Sequence, residues 1–179
     1  EKASPFGALA VIGDGTTDVT IKWMSISGGS EASVNGSYLS GALSIYNHNT
    51  VKMTNSDVYS NFGGDGLNIK NANVILKKNN FYLNLSDQVD LDNCSAVIKN
   101  NNFSALDIGG KNETLKITNL DVNGDGLDLS GSKAFIHNNS FSGFSDKGVS
   151  IGEKTRVVAH SNHFFNNNIG IAVKDESVA

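Results

Sequence analysis

The chain has 179 residues, with 14 Lys and Arg against 18 Asp and Glu, and therefore a formal net charge of −4. An acidic chain whose single arginine is Arg156 offers no positive stripe for a phosphate backbone, so we expect no nucleic acid partner. No apolar run reaches the roughly 18 residues of a transmembrane helix, which argues against membrane insertion.

One eight-residue pattern recurs about every 22 residues along the chain. Its copies occupy residues 19–26, 51–58, 74–81, 96–103, 115–122, 134–141 and 157–164. Ahead of each copy lies a pair of apolar residues two positions apart, which places both side chains on one face of a short strand. The pairs are Leu9/Val11, Leu43/Ile45, Leu67/Ile69, Val89/Leu91, Leu106/Ile108, Leu127/Leu129 and Val149/Ile151, and Ile171/Val173 opens an eighth unit.

These units predict an all-β fold, a parallel β-helix (solenoid) of about eight coils. One coil of about 22 residues cannot bury its own apolar face, but stacked coils form parallel sheets around one interior. Only one proline is present. Proline cannot donate a backbone hydrogen bond, so its near absence suits strands that pair with neighbours on both sides. We expect the asparagines at the fifth or sixth place of the octads to stack at one corner: Asn55, Asn79, Asn100, Asn101, Asn119, Asn138, Asn139 and Asn162.

Four glycine-led strands accompany these octads, with GLNI at 66–69, GLDL at 126–129, GVSI at 148–151 and GIAV at 170–173. With these motifs the chain resembles a right-handed, pectate-lyase-like β-helix of the kind found in bacterial surface proteins. The resemblance covers nearly the whole chain and implies a right-handed, single-stranded coil and an extracellular or cell-surface location. Because one fold hosts many functions, function has to be argued from the outward residues.

The repeats predict one domain over residues 1–179, with a long loop insertion at residues 27–41. No capping helix is visible at either end, and an exposed stack end invites further pairing. We therefore expect the chain to be a fragment of a larger protein, or to meet a stacking partner at the ends of the helix.

Aspartate is the main chemical signal. It occupies the outward position between the two inward residues of the central first strands, and it also precedes those strands. We predict an acidic binding stripe formed by Asp65, Asp87, Asp90, Asp107, Asp125, Asp128 and Asp146.

Such close like charges repel by roughly 1 to 3 kcal/mol per pair, so something has to offset them. A raised pKa, a nearby Lys70 or Lys147, and a bound calcium ion are the available remedies. No continuous calcium-binding loop is present, so a calcium site has to be assembled across coils. Its candidate ligands are Asp87, Asp90, Asp107, Asp125 and Asp128.

The same stripe has an enzymatic interpretation, because carboxylates on neighbouring coils fall near the separations that glycosidases use. The catalytic candidates are Asp90, Asp128 and Lys147, with the lysine as a base. The resemblance implies further motifs, since β-helix lyases, epimerases and polygalacturonases use an Arg or Lys base beside calcium, Asp-Pro-His-Asp, or paired aspartates with Gly-His-Gly. The chain lacks the epimerase and polygalacturonase motifs, and its one arginine lies away from the stripe.

Two other features admit alternatives. His137 and His160 share one octad place with His163 nearby, and either bind a transition metal or simply occupy an exposed polar position. Trp23 either stacks on sugar rings or covers the first coils, and we favour the cover.

The leading functional hypothesis is a non-catalytic extracellular β-helix module, acting as a rigid spacer or as a surface that binds polysaccharide or calcium. The first alternative is a truncated carbohydrate-active enzyme domain, a polysaccharide lyase or glycoside hydrolase. The second is a filament subunit that stacks end to end.

Overall fold

The computed structural model describes residues 5–106 and 124–179. Within these ranges every regular element is a β-strand, and three long sheets run the length of the molecule. All strands of these sheets pair in parallel with neighbours from the previous and the next coil. This is the right-handed, all-β parallel β-helix that the repeats and the resemblance predict.

Each coil contributes one strand to each sheet in the order sheet A, sheet B, sheet C. Sheet A contains β1 (Leu9–Ile12), β6 (Gly41–Tyr46), β9 (Asp65–Lys70), β12 (Asp87–Asp92), β15 (Leu127–Ser130), β18 (Lys147–Gly152) and β21 (Ile169–Val173). Sheet B contains β2 (Asp18–Lys22), β7 (Thr50–Thr54), β10 (Asn73–Lys77), β13 (Ser95–Lys99), β16 (Lys133–His137) and β19 (Arg156–His160). Sheet C contains β3 (Ser25–Ile26), β8 (Asp57–Tyr59), β11 (Asn80–Tyr82), β14 (Asn102–Ser104), β17 (Ser140–Ser142) and β20 (His163–Phe165).

The pairing register corrects one predicted coil. Strand β12 pairs directly with β15, with Val89 opposite Leu127. Strand β13 likewise pairs directly with β16. The unit predicted from Leu106/Ile108 and residues 115–122 therefore does not stand between these coils, and residues 107–123 lie outside the described part of the chain.

The interior is a column of apolar side chains, one layer per coil. Phe81, Phe103, Phe141 and Phe164 stack face to face, with centroids 5.1, 4.6 and 5.0 Å apart. Aliphatic residues of sheets A and B fill the rest of the interior of each coil, and most of them are wholly buried. Like side chains stack in register, which explains why the residue types at the inward-facing positions of the repeat vary so little.

The sequence predicts a single stack of octad asparagines at one corner. At the corner between sheets B and C these asparagines instead form two groups with different roles. Those at the fifth place, Asn55, Asn100 and Asn138, have φ between 52° and 58°, a region that asparagine tolerates better than most residues. Those at the sixth place form the buried ladder. Asn119 lies outside the described residues.

In the ladder each side-chain amide bonds to the next coil and also satisfies backbone groups. Asn79 donates to Asn101 at 3.1 Å, Asn101 to Asn139 at 3.0 Å, and Asn139 to Asn162 at 3.0 Å. Each Oδ1 also accepts the backbone N–H of the preceding coil, as Asn139 does from Asn101 at 2.9 Å. The ladder thus keeps buried backbone groups paired where the chain turns.

The long insertion predicted at residues 27–41 contains an antiparallel hairpin, β4 (Ala32–Val34) and β5 (Ser37–Leu39). Glu31 fixes it to the next coil, because its Oε2 accepts from Gly64 N at 3.1 Å and from Tyr38 Oη at 2.9 Å. The hairpin leads directly into β6 of sheet A. It therefore lies at the edge of the acidic face.

Candidate functional site

The outer face of sheet A carries the predicted aspartates in neighbouring columns. Asp90 on β12 lies opposite Asn68 on β9 and opposite Asp128 on β15. Asp65 and Asp87 begin β9 and β12 and are also in register. Asp107, predicted between Asp90 and Asp128, lies outside the described residues, and the direct pairing of β12 with β15 removes the intervening coil.

The centre of this face is the in-register pair Asp90 and Asp128. Neighbouring parallel strands lie about 4.8 Å apart, so the two carboxyl groups share one small region of the surface. Asn68 Nδ2 donates to Asp90 Oδ2 at 2.8 Å and lies 3.4 Å from Asp92 Oδ2. Lys70 Nζ forms an ion pair with Asp92 at 2.9 Å, which leaves Asp90 and Asp128 without a described lysine partner.

The aspartates at the strand starts are linked from coil to coil. Asp125 N donates to Asp87 Oδ1 at 2.6 Å, and Lys147 N donates to Asp125 Oδ1 at 3.1 Å. Lys147 Nζ lies 3.2 Å from Asp125 Oδ1 and also forms an ion pair with Asp146. Asp125 and Asp146 are therefore compensated by a lysine, whereas Asp65 and Asp87 have no such partner among the described residues.

Burial and mutual repulsion make three of these carboxyl groups weak acids. Loss of hydration raises the pKa of Asp90 to about 9, and the charges of Asp65, Asp92 and Asp128 add to the effect. The same cause raises the pKa of Asp87 to about 8 and that of Asp65 to about 6. At neutral pH, Asp87 and Asp90 hold protons unless a cation replaces them.

Lys147 is poorly suited to act as a base. Burial alone lowers its pKa, but contacts with Asp146 and Asp125 outweigh burial, so its pKa lies above the ordinary value. The amine stays charged and holds the two carboxylates in place. Its role in the structure is compensation of charge.

Several polar atoms of this face are buried without a hydrogen-bond partner. They include Asp65 Oδ2 and Asn68 Oδ1, in residues that are 5% and 0% exposed. Tyr46 Oη and Ser150 Oγ, on β6 and β18, are further cases. Unpaired buried acceptors cost about 1–3 kcal/mol each, so oxygen atoms in this state beside carboxyl groups suit a cation.

The outward side chains of this face differ in their exposure. Ser44, Asn68 and Ser150 alternate with core residues and so point outward, yet all three are wholly buried. Asp87, Asp90 and Asp128 are half-buried. At the outward place that Ser44, Asn68, Asp90, Asp128 and Ser150 share, only β12 and β15 therefore expose a carboxyl group.

Asn68 and Asp92 complete the centre of this face, and neither is among the site residues predicted from the sequence. The signal was present, because Asn68 occupies the same place in its strand as Asp90 and Asp128, and Asp92 the same place as Lys70. Asn68 and Asp90 are 22 residues apart, which is the length of one coil, and this spacing predicts that the two side chains are neighbours.

Three or more His, Cys, Asp or Glu side chains that together could hold a metal do not occur among the described residues. A calcium site at this face therefore needs amide oxygens or the oxygens of a ligand. The rings of His137 and His160 are in contact at a tilt of 34°, with centroids 4.2 Å apart, but His163 lies on sheet C. The favoured role of Trp23 as a cover is wrong, because the indole is 78% exposed.

The outer face of sheet B carries the opposite charge, which corrects the expectation that no positive stripe exists. Lysines and the one arginine that are scattered in sequence fall on this face once the coils are in register. They are Lys22, Lys52, Lys77, Lys99, Lys133 and Arg156. The absence of a nucleic acid partner stays a prediction.

The fold and this charged exterior define the chain as a solenoid of stacked β-coils. A family model described as a right-handed beta helix region matches residues 40–179. The chain belongs to this family. Neither the curated proteins nor the solved structures that were searched gave a match. Within the described ranges, moreover, no helix is long and apolar enough to cross a membrane.

Proposed function

We propose that this chain is a non-catalytic, extracellular β-helix module whose acidic face binds calcium and, through calcium, a carboxylated polysaccharide. The observation that carries the proposal is the pair of buried, unpaired acceptors, Asp65 Oδ2 and Asn68 Oδ1, beside Asp87 and Asp90. Hard cations such as calcium take six to eight oxygen ligands from carboxylates, amides and water.

The residues present fit calcium better than a transition metal. Asp90 and Asp128 supply carboxylate oxygens, Asn68 supplies an amide oxygen, and no thiol or imidazole belongs to the group. Since these side chains leave coordination positions open, the carboxylates of a uronic acid polymer fit as the remaining ligands. The rigid stack would then act as a spacer that presents the site.

The experiment is binding of polygalacturonate with and without calcium, using the wild-type chain and the double variant Asp90→Asn/Asp128→Asn. We expect calcium to strengthen binding, and we expect this calcium-dependent gain to be lost in the double variant. A matched control is Asp18→Asn/Asp57→Asn, which removes two carboxylates from sheets B and C. Calcium-independent binding through this face, or equal loss in the control, would contradict the proposal.

One observation favours a carbohydrate-active enzyme as the second candidate function. Asp90 and Asp128 lie on neighbouring strands about 4.8 Å apart, close to the separation of about 5–5.5 Å between the two carboxyl groups of retaining glycosidases. The raised pKa of Asp90, to about 9, suits a general acid.

New reducing ends or unsaturated sugars, measured with a panel of polysaccharides, distinguish the two candidates. An enzyme loses cleavage in Asp90→Asn/Asp128→Asn while its stability and its binding remain. A structural calcium site instead loses calcium-dependent stability. Absence of cleavage by the wild-type chain on every substrate would count against the enzyme.

A further inference from the structure

We propose that the outer face of sheet B is a second binding surface, which takes an anionic polysaccharide along the stack independently of calcium. The inference does not rest on the function proposed for sheet A. It starts from three columns of side chains that the register of β2, β7, β10, β13, β16 and β19 brings together.

The middle column is apolar over four successive coils, and each of these coils places one lysine or arginine in a flanking column. Ile75, Val97, Phe135 and Val158 follow one another in register. On one side lie Lys77, Lys99, His137 and His160, and on the other lie Asn73, Ser95, Lys133 and Arg156. Among the described strands of this sheet the only carboxylate is Asp18, at the far end of the face.

The cations of this face form no ion pair with any residue that the structure describes. The ion pairs among described residues use Lys70, Lys147 and Lys154, and none involves a lysine or arginine of sheet B. Lys77 lies directly opposite Lys99, and Lys133 opposite Arg156. Like charges opposite each other destabilise a sheet, so the arrangement costs stability that an anionic ligand would recover.

The apolar column widens into a shallow, open depression of about 410 Å³ between β13, β16 and β19. Phe135 forms its floor and is 37% exposed, while Val158 beside it is 61% exposed. Phe135 also packs edge-on against His160, with centroids 5.2 Å apart. Lys133 and Arg156 form one rim of the depression.

A carboxylated sugar chain fits this surface better than other anionic partners. Charges recur along the stack about every 4.8 Å, and sugar rings present apolar faces that suit an aromatic and aliphatic column. A single arginine and a single aromatic ring beside aliphatic residues are a poor platform for stacked bases. The acidic face of a second copy offers fewer free carboxylates, because Asp92, Asp125 and Asp146 already pair with Lys70 and Lys147 there.

The test is binding of polygalacturonate in EDTA, at low salt, by the wild-type chain and by Lys133→Glu/Arg156→Glu. The matched control is Lys154→Glu/Lys174→Glu, which makes the same change in net charge on exposed lysines away from the face. We expect the dissociation constant to rise about tenfold in the sheet B variant, given surface pairs of up to about 1 kcal/mol each, and to stay near wild type in the control.

Phe135→Thr tests the apolar column without changing charge and keeps a residue suited to strands. We expect about fivefold weaker binding with an unchanged dependence on salt. Asp90→Asn/Asp128→Asn should bind as wild type in EDTA, which separates this surface from the calcium site.

Three results would overturn the proposal. They are no binding of polygalacturonate in EDTA, equal weakening in the Lys154→Glu/Lys174→Glu control, and binding of oligothymidylate of equal charge as tightly and with the same dependence on Phe135. The last result would assign the surface to single-stranded nucleic acid. Circular dichroism of each variant confirms that the fold is intact.

Discussion

At the scale of single residues, the chemistry of this protein depends on which outward aspartates find a partner. Asp92 and Asp125 are held by Lys70 and Lys147, whereas Asp87 and Asp90 are half-buried without a described lysine partner. Because no lysine offsets the cost of burying their charge, the pKa values of Asp87 and Asp90 are raised, and the free energy of unfolding depends on pH.

This linkage predicts how stability changes with pH in the absence of metal. The pKa values of Asp87 and Asp90 rise from the ordinary value of 3.8 to about 8 and about 9, so the folded chain holds protons that the unfolded chain loses. The free energy of unfolding therefore falls as pH rises from about 4 to about 9. Thermal unfolding in EDTA at pH 5 and pH 8 measures the effect.

Asp90→Asn should remove the part of this dependence that Asp90 contributes. We expect the variant to lose less stability than wild type between pH 5 and pH 8, and to be the more stable protein at pH 8 in EDTA. Asp57→Asn, on sheet C, is the control and should follow wild type. A wild-type chain that is more stable at pH 8 than at pH 5 would contradict the prediction.

Trp23 is poorly suited to the backbone conformation at its position. Its φ is 57°, in the corner column where Asn55, Asn100 and Asn138 have similar values, and its side chain is exposed. Because asparagine tolerates this region better, we expect Trp23→Asn to stabilise the chain by about 1 kcal/mol. Denaturant unfolding measures the change. A loss of stability would mean that the indole makes contacts that outweigh the backbone cost.

At the scale of elements, the repeat predicts strands and inward residues well because each coil faces the same packing problem. Leu67, Val89 and Leu127 occupy one place in successive coils, and stacking demands like shapes there. Residues 115–122 carry the same letters, yet β13 pairs directly with β16. The repeat pattern indicates that a segment can form a coil. Which other strand each strand pairs with depends on tertiary contacts.

The same limit applies to the acidic face. Its aspartates were predicted from alternation, but whether a lysine reaches each one depends on side-chain geometry across coils. The alternation along single strands does not predict the basic face of sheet B either. Its cations lie in separate octads, and only the register of the strands brings them together.

The asparagine ladder should carry much of the stability of the corner between sheets B and C. Asn139 Nδ2 donates to Ile98 O at 2.9 Å, and its Oδ1 accepts from the backbone and the side chain of Asn101. Asn139→Ala leaves these buried groups unpaired, so we expect a loss of about 3 kcal/mol. Denaturant unfolding should show it, and Asn102→Ser on the outer face of sheet C should cost less than about 1 kcal/mol.

At the scale of the whole molecule, the stack separates charge between two of its sheets. The strands of sheet A carry five aspartates and those of sheet B carry six of the 14 cations, although the net charge is only −4. A rigid rod with two unlike faces suits a module that contacts more than one partner along its length. The alternative of end-to-end stacking stays a prediction, and a strictly monomeric scattering profile at high concentration would count against it.

Calorimetric titration of calcium at pH 7 tests the central claim most directly, when it is run in two buffers of different ionisation enthalpy. We expect saturable binding at about 0.1–1 mM, as in extracellular calcium modules, with release of a proton from Asp90. Both signals should vanish in Asp90→Asn/Asp128→Asn and persist in Asp18→Asn/Asp57→Asn. Absence of saturable heat at millimolar calcium, or the same binding in the Asp90→Asn/Asp128→Asn variant, would contradict the assignment of the acidic face.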